Sequence, residues 1–299
     1  MKHILSGEQF TKTDLKEIFD LADVVRANPK EYVNALDGKV ITTIFFEPST
    51  RTRLSFEAAI QRLGAKLIST ENGKTSSSAT KGELLEDTIR VVDGYADAIV
   101  MRHSDNDSAI RAAKVSSVPI INAGSGKAEH PTQSLLDAYT IRSKKGRLDN
   151  LKIAILGDLV HGRTIHSLIK LFGLYDNIEF YALSMKHLEL PEEYVNIIEK
   201  TGNKFIKCNS FADIPKDVDV MYHTRIQAER SDENLGKEEF VINKKILNEF
   251  SKNTIVMHPL PRVNEIDADV DDDERAVYFE QAHNGMWVRM ALLLKVLKK

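Results

Sequence analysis

Short apolar segments rich in β-branched residues alternate with amphipathic segments along most of the chain. Such short apolar segments are typical of buried strands, and the segments between them carry apolar residues at helical spacing. Regular alternation of strand and helix predicts α/β domains, in which helices cover both faces of a parallel sheet. The predicted strands are Val40–Phe46, Ala65–Ser69, Ala98–Met101, Val118–Asn122, Lys152–Gly157, Ile178–Ala182, Val218–Tyr222 and Thr254–His258.

The length of 299 residues is sufficient for two domains of ordinary size. The most polar break between strand–helix repeats is SKKGRLDN, residues 143–150. We therefore predict a first domain over residues 1–146 and a second over residues 147–283, each with a doubly wound, mostly parallel sheet flanked by helices. The last helix, residues 284–299, is shorter than a membrane span, and its apolar face is expected to pack back onto the first domain.

Composition argues against several classes of protein. The net charge of -3 gives no basic surplus of the kind that nucleic-acid binding requires. A single cysteine, Cys208, cannot form an intramolecular disulfide, which favours a reducing compartment. The segment MKHILSGEQF lacks the apolar core of a signal peptide, and no apolar run approaches the roughly 18 residues of a membrane span. We expect a soluble, cytoplasmic protein that binds neither nucleic acid nor membranes.

Motifs for metals and nucleotides are absent from the sequence. The nine histidines form no HExxH pair, and one cysteine cannot build a thiolate cluster. The segment AGSGKAEHP lacks P-loop spacing because Ala128 follows Lys127, and GDLVHGR lacks the GxGxxG of dinucleotide folds. The acidic run Asp267–Glu274 lacks the glycine turn of a calcium loop, so it is expected to be a solvated loop. We predict no metal and no cofactor.

Polar clusters follow six of the predicted strands. In open α/β sheets, ligands bind beyond the carboxyl ends of the strands, so polar residues there carry more weight than elsewhere. Five of the clusters contain an arginine, and in four of them it is expected to face this crevice, which indicates an anionic ligand. The clusters are STRT (Ser49–Thr52), RH (Arg102–His103), GSGKAEHPTQ (Gly124–Gln133), DLVHGRT (Asp158–Thr164), TRIQAER (Thr224–Arg230) and PLPR (Pro259–Arg262).

The first cluster lies where a predicted strand gives way to a helix. The start of a helix presents unpaired backbone N–H groups and the positive end of the helix dipole. Ser49, Thr50 and Thr52 add hydroxyl donors, and Arg51 adds a planar, permanently charged group that suits a phosphate-sized anion. A lone turn of this composition more often just caps its helix, so the cluster by itself leaves the anion unidentified.

Taken together, eight segments resemble the catalytic chains of the aspartate carbamoyltransferase family, in the same order and over nearly the whole length. They are FFEPSTRTRLSFEAA, SSSATKGE, MRH, AGSGKAEHPTQSLLD, GDLVHGRTIHS, TRIQAER, HPLPRVNEI and YFEQAHNGMWVRMALL. The resemblance implies transfer of a carbamoyl group from carbamoyl phosphate to L-aspartate, in pyrimidine biosynthesis.

The resemblance also implies which residues bind carbamoyl phosphate. Arg102 corresponds to an arginine that spans the phosphate and the carbonyl oxygen, and His130 corresponds to a histidine hydrogen-bonded to that oxygen. Gln133 lies near the carbamoyl amide. Donors from Thr52, Arg102 and His130 on one oxygen would stabilise the oxyanion that forms when an amine attacks the carbamoyl carbon. The residues implied for the phosphate are Ser49, Thr50, Arg51 and Thr52.

The second half of the chain is expected to bind aspartate. Arg163 and Arg225 correspond to the arginines that bind its two carboxylates, and such groups suit planar bidentate donors. Gln227 corresponds to a nearby amide contact. The backbone carbonyls of Leu260 and Pro261 correspond to acceptors in the substrate pocket.

Two further residues are implied to act in a neighbouring subunit. In the family, the serine and lysine that correspond to Ser77 and Lys81 reach into the active site of the adjacent chain, which implies a homotrimer with shared sites. The three serines at 76–78 leave the register of the first residue open by one position. Regulatory chains are a further partner that the resemblance allows.

No carboxylate or second histidine in these motifs stands out as a general base. The departing phosphate is a plausible proton acceptor, so we expect catalysis by orientation and charge stabilisation. The polar segment 227–239 is expected to be a mobile loop that takes part in closure of the two domains.

There are two alternatives to this function: an enzyme with a different amine substrate and a protein of a different, non-catalytic class. Ornithine carbamoyltransferases share STRTR and HPxQ, but they carry a cysteine where this chain has Pro259 and lack a counterpart of Lys81. Arginines at 163 and 225 would also repel the cationic side chain of ornithine. The second alternative is a non-catalytic anion-binding protein on the same fold. It would require the loss of a key active-site residue, and every such residue that can be matched to the family is present.

Overall fold

The computed structural model describes residues 2–71, 82–126, 129–226 and 240–298. The chain forms two compact units: Met1–Leu136 with His283–Lys299, and Asp137–Ala282. Both divisions fall inside helices, and the polar break at 143–150 includes the last turn of one of them. The domain limits expected from the sequence, at residues 146 and 283, stay a prediction.

Each unit contains one sheet whose paired strands all run parallel, which confirms the predicted α/β fold class. The first sheet has the order β2-β1-β3-β4 and the second has the order β7-β6-β5-β8-β9. The strands are β1 (Val40–Phe45), β2 (Lys66–Glu71), β3 (Ala98–His103), β4 (Ile120–Ser125), β5 (Lys152–Gly157), β6 (Glu179–Leu183), β7 (Lys204–Cys208), β8 (Val220–Thr224) and β9 (Ile255–Met257).

Helices connect most of these strands. The first helix begins with reciprocal hydrogen bonds at its N-terminus: the Thr11 hydroxyl accepts the Asp14 N–H at 3.1 Å, and the Asp14 carboxylate accepts the Thr11 N–H at 2.9 Å. The helices are α1 (Lys12–Ala27), α2 (Thr50–Arg62), α3 (Leu85–Asp93), α4 (Ser108–Val115), α5 (Pro131–Lys145), α6 (Arg163–Phe172), α7 (Glu192–Lys200), α8 (Lys244–Leu247) and α9 (Tyr278–Leu297).

Each unit has its own apolar core. In the first unit, Ile44 of β1, Ile99 of β3 and Ile120 of β4 pack with Leu85 and Ile89 of α3. In the second unit, residues of β5, β8 and β9 pack with those of α8 and the start of α9. Strand β2 differs from the other three strands of its sheet because none of its residues is fully buried.

The C-terminal helix α9 contributes its later residues to the first unit. Val288, Met290 and Leu292–Leu294 are buried, and Arg289 lies over the ring of Phe56 at 5.0 Å. Across the described residues, none of the helices combines the length and the hydropathy that a membrane crossing requires.

Strand β7 is absent from the sequence-based prediction. Its sequence, KFIKC, has a lysine on each side of two apolar residues, and it forms the edge of the second sheet, so most of its side chains are only partly buried or exposed. An edge strand of this kind lacks the continuous apolar run by which the central strands were recognised.

The acidic run at residues 267–274 is more than the solvated loop that its composition predicts. Val270 is buried, and Asp273 accepts two hydrogen bonds from the Arg275 guanidinium, at 2.8 Å from Nε and 2.7 Å from Nη2. Arg275 is almost fully buried and also donates to the carbonyl of Leu247 at 2.7 Å. The run is therefore anchored to the core of the second unit by a bidentate ion pair.

We expect Asp273→Asn to destabilise the second unit by about 3–5 kcal/mol at pH 7, because the substitution leaves a buried guanidinium without its counter-charge. Hydrogen bonds from Arg275 lower the pKa of Asp273 to about 2, below its ordinary value of 3.8. The stabilisation is therefore complete above about pH 4 and is lost as the pH falls towards 2. Scanning calorimetry of both proteins between pH 7 and pH 3 measures this difference.

The matched control is Glu249→Gln, which removes an exposed ion pair with Lys216 and should change stability by less than about 1 kcal/mol. A difference between wild type and Asp273→Asn that disappears already between pH 7 and pH 5 would contradict the assignment.

Candidate active site

The strand orders create one crevice in each sheet. From β1 the chain passes to β2 on one side, while β3 lies on the other; β5 is likewise followed by β6 on one side and flanked by β8 on the other. Such switch points leave the carboxyl ends of the two strands open to a ligand. At the first switch point, Ser49–Thr52 follows β1 and Arg102 lies at the end of β3. At the second, Arg163 follows β5 and Arg225 follows β8.

Helix α2 opens the first crevice with an uncapped N-terminus. Ser49 is the N-cap residue, but its side chain makes no capping hydrogen bond to the helix. The Arg53 N–H bonds to the Ser49 carbonyl at 3.0 Å, which leaves the preceding N–H groups of the first turn at the open end of the helix. Thr52 is buried there and Arg51 is exposed. This arrangement suits an anion better than it suits a simple helix cap.

The two arginines of STRTR have different surroundings. Arg53 Nη1 lies 3.0 Å from a Glu71 carboxylate oxygen, and its Nε lies 3.6 Å from a Glu57 oxygen. Two carboxylates thus neutralise Arg53 within the first unit. Arg51, two residues earlier on the helix, occupies the exposed N-terminal turn.

Arg102 lies at the end of β3 and is only 8% exposed. Its Nε is 3.7 Å from a Glu47 carboxylate oxygen. The guanidinium packs over Gly124, where a Cβ would lie 3.3 Å from Nη1, and the φ of +129° at Gly124 is one that other residues rarely adopt. The glycine in GSG therefore makes room for an arginine, a role unrelated to a P-loop.

His130 and Gln133 lie at the start of α5, after β4. His130 is 4% exposed, and its carbonyl accepts the N–H groups of Gln133 at 2.9 Å and Ser134 at 3.3 Å. Strand β4 neighbours β3, which neighbours β1. The structure therefore places the Ser49–Thr52, Arg102 and His130 clusters at the ends of three consecutive strands of one sheet.

In the second unit, Arg163 is the first residue of α6 and is 6% exposed. A cation at the N-terminus of a helix adds to the positive end of the dipole, which makes this position attractive to anions. Nearby, the buried Asp158 carboxylate accepts the His161 N–H at 2.9 Å and so shapes the turn before the helix. Arg225 follows β8 and is half-buried, with Nη1 donating to the Ile226 carbonyl at 3.2 Å.

The backbones of β5 and β8 approach closely beside these arginines. Gly157 has a φ of +94°, and a Cβ there would lie 2.0 Å from the carbonyl oxygen of Thr224. The Thr224 hydroxyl donates to the carbonyls of Leu156 at 3.3 Å and Asp158 at 3.2 Å. Only glycine permits this approach, which sets the spacing of the segments that carry Arg163 and Arg225.

The predicted acceptors Leu260 and Pro261 follow β9. Leu260 is half-buried with a φ of +51°, the Leu260–Pro261 peptide is cis, and Pro261 is exposed. The arginine of the same cluster, Arg262, binds the Asp271 carboxylate and the Tyr278 hydroxyl. Its contacts therefore stabilise the fold of the second unit.

Three predicted residues, Ser77, Lys81 and Gln227, lie outside the described residues, as do the remaining positions of the predicted 227–239 loop. Within the ranges that the structure describes, no group of three or more His, Cys, Asp or Glu side chains is arranged to hold a metal ion.

The structure adds residues that the sequence-based reasoning missed. Glu47 contacts Arg102, and its position two residues before the serine of STRT was the available signal. His258 and Glu265 form a buried pair at 2.7 Å beneath the Leu260 turn. Burial lowers the pKa of His258. Burial alone would raise the pKa of Glu265, but hydrogen bonds from His258 and from backbone N–H groups outweigh it and hold that pKa below its ordinary value.

Family models match both halves of the chain. Residues 2–143 match the carbamoyl-P binding domain of aspartate/ornithine carbamoyltransferases, and residues 149–296 match their Asp/Orn binding domain. The chain belongs to the aspartate/ornithine carbamoyltransferase family. This confirms the resemblance inferred from the sequence motifs.

Similar full-length proteins within this carbamoyltransferase family have aspartate-specific names. The aspartate carbamoyltransferase catalytic subunit of Methanocaldococcus jannaschii is 47% identical, with 100% of this chain and 98% of that protein covered. A crystal structure of the M. jannaschii catalytic subunit superposes with a TM-score of 0.92 at 46% identity, covering 100% of this chain and 98% of the other.

The aspartate transcarbamoylase of Trypanosoma cruzi, solved with carbamoyl phosphate and aspartate, superposes with a TM-score of 0.92 at 38% identity, covering 99% of this chain and 97% of the other. These similarities support the aspartate reaction over the ornithine alternative.

We expect Gly157→Ala to destabilise this carbamoyltransferase far more than Gly202→Ala. Both glycines have positive φ angles, but a Cβ at Gly202 meets no atom within 4 Å, so that substitution should cost only about 1–2 kcal/mol. At Gly157 the added methyl must also displace the Thr224 carbonyl, which should add about 1–3 kcal/mol. Melting temperatures of the two variants measure the contrast, and equal losses would contradict the close approach of β5 and β8.

Proposed function

We propose that the chain transfers the carbamoyl group of carbamoyl phosphate to the amine of L-aspartate, giving N-carbamoyl-L-aspartate and phosphate, a step of pyrimidine biosynthesis. The observation that carries this proposal is the placement of arginines at the switch points of both sheets: Arg51 and Arg102 in the first unit, Arg163 and Arg225 in the second. One substrate has a phosphate, and the other has two carboxylates.

The first unit binds carbamoyl phosphate in this proposal. The open N-terminus of α2 supplies backbone N–H groups, and Ser49, Thr50 and Thr52 supply hydroxyls for the phosphate oxygens. Arg51 supplies a charged, planar donor from the same turn. Lys81, offered by a neighbouring chain, adds a further positive charge.

The reaction itself needs a stabilised oxyanion. The amine nitrogen of aspartate attacks the carbamoyl carbon, the carbonyl oxygen gains negative charge, and the bond from carbon to the phosphate oxygen then breaks. Thr52, Arg102 and His130 are the donors proposed for that oxygen, and Gln133 holds the carbamoyl amide. Donors positioned in advance stabilise such charge without reorganisation, which is the largest catalytic effect available here.

The departing phosphate takes the bonding electron pair and accepts the proton that the amine loses. No side chain is then required as general base, and the protein contributes orientation and charge.

The second unit binds aspartate in this proposal. Arg163 and Arg225 bind its two carboxylates, each with planar N–H donors. Gln227 adds an amide contact, and the carbonyls of Leu260 and Pro261 accept hydrogen bonds from the amine. Ornithine would instead place a cationic side chain between two guanidinium groups, which disfavours it.

The active unit in this proposal is a homotrimer in which Ser77 and Lys81 of one chain complete the site of its neighbour. The first unit carries a suitable apolar surface: Leu84 and Tyr95 are each 62% exposed, and Ile68 on β2 is 48% exposed. Ile68 and Tyr95 also border an apolar cavity with Ile44 and Phe46. Exposed apolar patches of this kind mark contact surfaces between proteins. Regulatory chains are a further proposed partner of the trimer.

We place the enzyme in the cytoplasm. Its single cysteine, Cys208, cannot form an intramolecular disulfide, which fits a reducing compartment.

We expect the purified chain to form carbamoyl-aspartate from carbamoyl phosphate and L-aspartate, and little product from L-ornithine. Arg51→Ala should lower kcat about 100-fold or more, because it removes a donor to the phosphate and its developing charge. Arg225→Ala should raise KM for aspartate at least about tenfold while leaving KM for carbamoyl phosphate nearly unchanged. A colorimetric carbamoyl-amino-acid assay with both amines measures these effects.

The matched control is Arg90→Ala, which removes an exposed arginine paired with Asp87 in its own helix and should leave both constants unchanged. Product from ornithine alone would contradict the proposal for the second unit. Absence of product with either amine from a folded trimer would favour the non-catalytic alternative.

Shared sites predict recovery of activity in mixed trimers. Arg51→Ala and Lys81→Ala chains are each expected to be nearly inactive, but a site built from Arg51 of one chain and Lys81 of the other is intact. Random mixing of equal amounts should restore about a quarter of the wild-type activity, since about one site in four is then complete. The two variants are dissociated, mixed, reassembled and assayed. Activity that stays at the level of the separate variants would show that each chain uses its own residues.

A further inference from the structure

A buried histidine, His258, hydrogen-bonds to the turn at Leu260–Pro261. The Leu260 N–H donates to Nδ1 of His258 at 2.8 Å, so Nδ1 carries no proton. The proton of the neutral ring must therefore reside on Nε2, which lies 2.7 Å from Oε1 of Glu265. Both side chains are 1% exposed. The hydrogen bonds at its two nitrogens thus fix the tautomer and the orientation of the ring.

Glu265 closes the loop that contains this turn. Its second oxygen, Oε2, accepts the N–H groups of Val263 at 3.1 Å and Asn264 at 3.0 Å. One carboxylate thus binds both ends of the segment from His258 to Glu265. A buried carboxylate is costly unless it is well hydrogen-bonded, and here three donors of its own loop satisfy it.

The same histidine connects the loop to the rest of the second unit. The His258 backbone N–H donates to Oε1 of Gln281 at 2.9 Å, and Nε2 of Gln281 donates to Oδ1 of Asp137 at 2.7 Å. Tyr222 donates its hydroxyl proton to Oδ2 of Asp137 at 2.8 Å. These side chains are buried, so the hydrogen bonds form a water-shielded network.

The network ends beside the predicted carboxylate-binding arginines. Thr164 hydrogen-bonds to the Tyr222 hydroxyl, and it directly follows Arg163 at the start of α6. Tyr222 lies on β8, three residues before Arg225. A continuous series of hydrogen bonds therefore links the three segments that carry Arg163, Arg225 and Leu260.

The geometry points to Glu265 as a positioning residue for the amino-acid substrate: through His258 it sets the place of the Leu260 and Pro261 carbonyls relative to Arg163 and Arg225. This inference rests on the proposed function, in which those carbonyls accept hydrogen bonds from the substrate amine. Glu265 itself touches no substrate in this account. Its effect is to hold acceptors where the amine arrives, so that the nitrogen lone pair is directed at the carbamoyl carbon.

The first test is Glu265→Gln in the full-length oligomer. A carboxylate offers two acceptors, whereas an amide offers one acceptor and one donor. Whichever way the amide turns, an N–H faces either His258 Nε2–H or the backbone N–H groups, and the loop must shift. We expect KM for L-aspartate to rise about tenfold, with KM for carbamoyl phosphate within about twofold of wild type.

A second variant tests whether Glu265 acts through His258. In His258→Asn the amide oxygen can still accept the Leu260 N–H, but the bond to Glu265 is lost. We expect His258→Asn to raise KM for aspartate as well, and the double variant to lose no more kcat/KM than the worse single variant. Effects that multiply in the double variant would overturn the inference.

The matched control is Asn203→Ala in the same unit. The Asn203 side chain is also buried, accepts the Ile178 N–H at 2.9 Å and donates to the Tyr175 carbonyl at 3.2 Å, but it lies at the amino ends of β6 and β7. We expect a lower melting temperature with unchanged KM for aspartate. If Glu265→Gln behaves in the same way, its role is structural only and the inference is wrong.

Hydrogen exchange at the Leu260 amide gives a readout that requires no turnover. We expect this amide to be protected in wild type and to exchange at least about tenfold faster in Glu265→Gln, because its acceptor has moved. If the wild type is active but Glu265→Gln has the same KM values and the same Leu260 exchange rate, the inference is wrong and the proposed function stands. A folded wild type that forms no carbamoyl-aspartate overturns both, whatever the exchange rates are.

Discussion

The order of strands in each sheet is the constraint on which the rest of this structure depends. Parallel strands place all their carboxyl ends at one edge of the sheet. After β1 the chain continues to β2 on one side, and after β3 it continues to β4 on the other side; β5 and β8 are followed by β6 and β9 in the same way. Helices that follow the two strands of such a pair begin on opposite faces of the sheet, so backbone N–H groups and strand-end side chains converge without a covering helix. Each unit thereby has a crevice at the carboxyl edge of its sheet, which is where the proposed function places a charged substrate.

In both crevices, a glycine permits a close approach that a larger residue would block. Gly124 makes room for the guanidinium of Arg102, and Gly157 lets β5 approach β8. Other arginines stabilise the fold through ion pairs: Arg262 pairs with Asp271, and Arg275 pairs with Asp273. Arg102 combines both features, because it lies at the end of β3 and its Nε is 3.7 Å from a Glu47 carboxylate oxygen.

Much of this arrangement could be predicted from the sequence, because apolar β-branched runs mark central strands and polar clusters mark their ends. Strand β5 has the predicted bounds, Lys152–Gly157. Strand β7 was missed since its lysines face solvent at a sheet edge. The network around His258 could not be predicted, because its partners are far apart in the chain: Tyr222 and Asp137 are separated by 85 positions, and Gln281 and Asp137 by 144. Local patterns carry no information on such pairings.

The division of the chain into units affects how the protein is made. The second unit is one continuous segment, Asp137–Ala282, whereas the first combines Met1–Leu136 with the later segment His283–Lys299. Domains fold as they leave the ribosome, and a unit can complete its core only when all its parts have been synthesised. The first unit must therefore wait, with the place of Val288–Leu294 unfilled, until that segment has been synthesised, although nearly all of the unit emerges earlier. The second unit can close earlier, so the order of folding is the reverse of the order of synthesis.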